Sequence, residues 1–149
     1  MNTTLEKKET YTAPWEESKW LFASSFLFLF PAILAGYHQL YSYCFILIIT
    51  SFVSANYWRK ATYSWRRNMD LVVSKMAFVV FVSKGYLTVV YYPYLITGYS
   101  GLILVCYVFT QSKKLWEKKD KRWVLYHFLF HVLLTYEQMI IIDSIRCID

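Results

Sequence analysis

The chain has 149 residues, of which 57% are hydrophobic, 21% aromatic and only 17% charged, with a formal net charge of +6. Soluble proteins carry about 25% charged residues, and a soluble domain this small leaves most of its elements half exposed to water. The charges are also segregated, since residues 20–58 contain no Asp, Glu, Lys or Arg. These features exclude a soluble domain, a disordered chain and a disulfide framework. They leave an all-α, multi-pass integral membrane protein.

In chain order, residues 1–19 mix Glu6, Glu9, Glu16 and Glu17 with Lys7, Lys8 and Lys19 and hold no apolar core. They read as a cytoplasmic N-terminal segment and not as a secretory signal. Within it, Thr12-Ala13-Pro14-Trp15-Glu16-Glu17 predicts a helix start, with Pro early and acids in the first turn. Trp15 and Trp20 would anchor it as a short interfacial helix. The uncharged run 20–58 is too long for one span of about 20 residues. It reads as two helices joined by a turn at Gly36-Tyr37-His38-Gln39.

Further spans are expected at 70–91 and 95–110, divided near Tyr92-Pro93-Tyr94, and at 123–142. Lys84-Gly85 and Thr97-Gly98-Tyr99-Ser100-Gly101 are competing break points, because Gly and Pro punctuate helices. The expectation is a bundle of five transmembrane helices over 20–143, or six if Lys84-Gly85 and Gly98 both interrupt the chain. A short tail, 144–149, follows it.

The basic residues check that count. Arg59, Lys60, Arg66 and Arg67 lie in one connection, and Lys113, Lys114, Lys118, Lys119, Lys121 and Arg122 in another. The positive-inside rule assigns both to the cytoplasm. Two helices between them satisfy this and three would not, so the N-terminus is expected inside and the C-terminus outside. The net positive charge then reflects topology and contact with anionic lipid headgroups, and no nucleic-acid partner is expected. Asn2-Thr3-Thr4 fits a glycosylation acceptor but would stay bare on the cytoplasmic side. Cys44, Cys106 and Cys147 share no metal-ligand spacing or pairing pattern.

Polar residues inside a membrane are costly and need partners, so they carry the functional signal. His127 and His131 stand four residues apart, on one helical face. That spacing lets two imidazoles reach one metal ion, or lets each bond to a neighbouring hydroxyl. Thr50, Ser51 and Ser54 interrupt an apolar stripe near the cytoplasmic end of the second helix, where a hydroxyl commonly bonds the carbonyl one turn back. Asp70 is expected to open the third helix, where it would favour the helix N-terminus and pair with a loop arginine. On the five-helix topology Ser54, Asp70, His127 and His131 all fall in the cytoplasmic half.

This order of residues resembles the superfamily of intramembrane zinc hydrolases that includes alkaline ceramidases and the progestin/adiponectin receptors. Those proteins place Ser-x-x-x-His at the end of the second helix, Asp at the start of the third and His-x-x-x-His in the last. Here Ser54-Ala55-Asn56-Tyr57-Trp58, Asp70 and His127-Phe128-Leu129-Phe130-His131 occupy these places. The resemblance implies zinc held by His127 and His131, with Ser54 and Asp70 organising catalysis on a lipid amide. Two departures stand out. Trp58 replaces a zinc histidine, and the family has seven spans. His38 is expected at the opposite face of the membrane and cannot substitute. The alternative is a non-enzymatic membrane scaffold or assembly protein with a degenerate site. A transporter, with Lys75, Lys84 and Glu137 as intramembrane charges, is a third reading; Glu137 and Asp143 could equally snorkel outward.

Overall fold

The computed structural model describes residues 11–90 and 92–146. Asn2-Thr3-Thr4 and Cys147 lie outside the described residues. The chain forms α1 (Trp15–Ser25), a 3-10 turn (Phe26–Phe28), α2 (Leu29–Tyr37), α3 (Tyr41–Arg59), α4 (Trp65–Thr88), α5 (Tyr92–Glu117) and α6 (Trp123–Arg146). Through the turn, α1 and α2 make one rod, Trp15–Tyr37. The helix that starts after Pro14 therefore runs directly into the first apolar stretch, with Glu16 and Glu17 in its first turn.

Four rods are long and apolar enough to cross a membrane: Trp15–Tyr37, Trp65–Thr88, Pro93–Glu117 and Trp123–Ile145. The fifth, α3, falls short because Tyr41, Ser42, Thr50, Ser51, Ser54 and Asn56 dilute its apolar residues. Most expected boundaries lie within a turn or two of the observed ones. α4 begins at Trp65 and not at Asp70, since Arg66 and Arg67 are good helix formers. The helix runs through Lys84-Gly85, and α5 runs through Gly98. Gly85 lets α6 come close: a methyl group there would stand 3.1 Å from Ile141 Cδ1.

Two turns close by the same device. Gln39 (φ 60°) and Lys119 (φ 56°) take the left-handed conformation after their helices. Leu40 N–H then bonds Ala35 C=O at 2.8 Å, and Asp120 N–H bonds Leu115 C=O at 3.0 Å. This is the six-to-one bond of a Schellman motif, which satisfies carbonyls left over at a helix end. Beyond Lys119, the Arg122 guanidinium grips the Asp120 carboxylate at 2.7 Å. Its hydrogen bonds hold that carboxyl down at about 2.

The Trp15–Tyr37 rod packs on α3, α3 on α4, and α5 along α6, while α6 also touches α1, α2 and α4. α6 is thus the centre of the bundle. One apolar core, including Ala35, Leu47, Phe81 and Ile142, sits toward the 38–40 turn. A second, built on Leu21, Tyr57, Trp58 and Trp123, sits toward the N-terminus.

That N-terminal end is tied together by polar contacts. Thr12 N–H donates to Ala61 C=O at 2.8 Å, and Thr12 Oγ1 meets the Tyr57 hydroxyl at 2.7 Å. Trp116 Nε1 donates to Thr12 C=O at 3.3 Å, and Trp123 Nε1 to Glu17 Oε2 at 2.9 Å. One short segment therefore touches both basic connections, which lie at the same end of the bundle, as the charge pattern requires. The 6 tryptophans of the chain, Trp15, Trp20, Trp58, Trp65, Trp116 and Trp123, all lie near this end. Such a belt is characteristic of a membrane–water interface.

Candidate functional site

Between the two apolar cores lies a layer of buried polar side chains. On α6, the His127 and His131 rings face each other with centroids 5.1 Å apart, as their four-residue spacing dictates. His131 Nδ1 and the Ser24 hydroxyl are bonded at 2.7 Å. His127 Nδ1 and the Ser112 hydroxyl are 3.3 Å apart, and Ser112 also lies 3.2 Å from Trp123 C=O. Phe28 covers the outer side of the His131 ring at 5.2 Å.

On the other side of α1, Ser25 Oγ lies 2.7 Å from Leu21 C=O and 3.2 Å from Ser54 Oγ. Ser51 Oγ donates to Ser25 C=O at 3.0 Å. Next to Ser54 stands Asp70, whose carboxylate accepts from Ser74 at 3.5 Å. The hydroxyls therefore form two branches that meet at the adjacent residues Ser24 and Ser25. One branch runs to Ser54 and Asp70, the other to His131 and, across the stacked rings, to His127 and Ser112. Five helices contribute: α1, α3, α4, α5 and α6.

All four residues singled out from the sequence belong to this cluster, though Asp70 and the imidazoles do not touch directly. Ser24 and Ser25 join them. Asp70 lies beyond the first turn of α4 and is buried among hydroxyls, so it is not a helix cap. Sequence reasoning missed Ser24, Ser25 and Ser112. The available signal for the first two was their isolation: they are the only hydroxyl residues between Trp20 and Gly36.

Trp58 is buried and packs edge-on to His127, with centroids 5.2 Å apart. Its Nε1–H has no partner among the described residues. Catalytic zinc needs three protein ligands and an open position. Among the described residues no three His, Cys, Asp or Glu side chains gather to hold one ion. The Nδ1 atoms of both imidazoles are already bonded to hydroxyls. This donor set does not make up a three-ligand zinc centre.

What the arrangement does provide is a hydroxyl–imidazole pair, Ser24–His131, in a dry setting. Two clefts among the described residues lie elsewhere. One, about 440 Å³, sits at the basic end and includes Trp15, Arg59 and Arg66 in its walls. The other lies between α4, α5 and α6, with Glu137 and Gln138 in its wall. Compared with protein-family models, curated proteins and solved structures, the chain matches none.

Proposed function

We propose that the chain is a five-pass membrane protein with its N-terminus and both basic connections in the cytoplasm, and that it serves as a non-catalytic scaffold or assembly subunit. The polar cluster then acts as internal glue between helices. The observation that carries this reading is the use of each imidazole's Nδ1 in a bond between helices: His131 to Ser24, and His127 to Ser112, with Trp58 packed against His127. Within a bilayer, interhelical hydrogen bonds of this kind replace the hydrophobic drive that water would supply. Arg59 and Arg66 in the cleft at the basic end support contact with anionic lipid headgroups.

One observation favours a second reading, a lipid-amide hydrolase. A serine hydroxyl 2.7 Å from an imidazole nitrogen has the geometry of a nucleophile and its general base. In that reading Ser24 would attack the acyl carbon as His131 takes its proton, the C–N bond would break as that proton passes to the departing amine, and water would then release the acyl group from Ser24. Hydrolysis of a fluorescent acyl-amide lipid by the protein in proteoliposomes, with zinc measured on the same sample, separates the two. The scaffold reading expects turnover equal to protein-free liposomes and zinc well below one per chain. Turnover lost in both Ser24→Ala and His131→Ala would overturn it in favour of the hydrolase.

A further inference from the structure

Glu137 and Gln138 stand outside the cluster described above, roughly 9 Å further along α6 than His131 at 1.5 Å per residue. Both are deeply buried, with 7% and 2% of their surface exposed. Among the described residues Glu137 has no hydrogen-bond or ion-pair partner, and Gln138 Oε1 is buried without a donor. A carboxylate and an amide oxygen left unpaired at membrane depth are expensive, and such groups commonly mark a ligand or ion path.

The surroundings define what could satisfy them. Both residues line a cleft between α4 and α5 on the flank of α6, walled by Phe78, Phe81, Leu102 and Val105. α5 packs along α6 and has no comparable packing on α4, which leaves the cleft open between them. Gly101 leaves room for the Glu137 carboxylate, since a methyl group there would overlap Oε1 in its present position. The site thus offers hydrogen-bond acceptors, one of them ionisable, at the base of an apolar slot.

We propose that Glu137 and Gln138 bind the ammonium head of a protonated aliphatic amine, the first part of whose alkyl chain lies in the cleft of about 130 Å³ between α4 and α5 while the rest extends outward. A primary ammonium brings three N–H donors and a positive charge, which two acceptors can share. An alcohol of the same chain length brings one donor and no charge. The aromatic and aliphatic walls match the chain and do nothing for the head. This site is independent of the functional reading above.

The test compares dodecylamine with dodecanol, using the full chain in phosphatidylcholine nanodiscs. Dodecylamine should bind saturably and about tenfold or more tightly than dodecanol, the ratio expected of one charge-assisted hydrogen bond. Glu137→Gln should abolish the preference, because dodecylamine loses far more affinity than dodecanol. Gln138→Leu keeps the carboxylate and should reduce the preference only partly, so it decides the matter if Glu137→Gln does not fold. Equal binding of the two probes would overturn the proposal and make the cleft a general seat for lipid chains. A preference that persists in Glu137→Gln, or no saturable binding of either probe, would overturn it as well.

Discussion

Ser24 and Ser25 are neighbours on α1, yet their hydroxyls leave the helix toward different partners: His131 on α6 and Ser54 on α3. Two small side chains thereby tie three helices together. Removing either strands a buried group on the other side. Ser24→Ala should therefore lower stability by about 0.5–2 kcal/mol, with a coupling to His131→Ala near the roughly 0.6 kcal/mol typical of interhelical bonds in membranes. Thermal unfolding of the two single variants and the double variant in one detergent measures it; strictly additive losses would count against the bond. Asp70→Ala should cost more, about 1–3 kcal/mol, because it removes a buried acceptor and leaves the Ser74 hydroxyl without its partner. His38→Ala, at the far turn and only half buried, should stay within about 0.5 kcal/mol of the native chain.

The same residues explain what could be read in advance. His127 and His131 were legible because a four-residue interval fixes a shared face whatever the fold. Ser54 and Asp70 were legible because a polar residue at membrane depth must have a partner. Their linkage was not, since it depends on which helices lie side by side. A serine in an apolar helix most often bonds its own backbone, as Ser25 does with Leu21 C=O. Nothing in the local sequence distinguishes that from a serine that also reaches a neighbouring helix.

Among the helices, the turns were the most legible feature and the internal glycines the least. Gly36-Tyr37-His38-Gln39 announced the first turn, and the chain reverses there. Gly85 and Gly98 looked like breaks from sequence but lie within helices, where they serve close approach: to Ile141 for Gly85, and to Val89 and Glu137 for Gly98. The left-handed residues that do end helices are Gln39 and Lys119, where a side chain costs about 1–2 kcal/mol that glycine would avoid. Gln39→Gly and Lys119→Gly should each raise stability, by about 0.5–1 kcal/mol after the added backbone freedom of glycine is deducted. An unfolding midpoint that falls in both variants would show that these turns are not held by the left-handed conformation.

For the whole molecule, charge, tryptophans and hydrogen bonds agree on one polarity. Both basic connections and the tryptophans share one end, joined through residues 12–17. The polar cluster lies about 6–15 Å in from the helix ends on that side, counting 1.5 Å per residue. Asp70, Ser54 and the imidazoles therefore share the half of the bundle next to the basic connections, which is the cytoplasmic half when the basic end faces the cytoplasm. Single cysteines at Lys60, Lys119 and Gln39, in a background with the native cysteines changed to serine, test this directly in sealed vesicles. Lys60→Cys and Lys119→Cys should react with an impermeant maleimide only from the cytoplasmic side, and Gln39→Cys only from the opposite side. Labelling of Lys60→Cys and Lys119→Cys from opposite sides, or of Gln39→Cys from the cytoplasm, would contradict the five-pass arrangement.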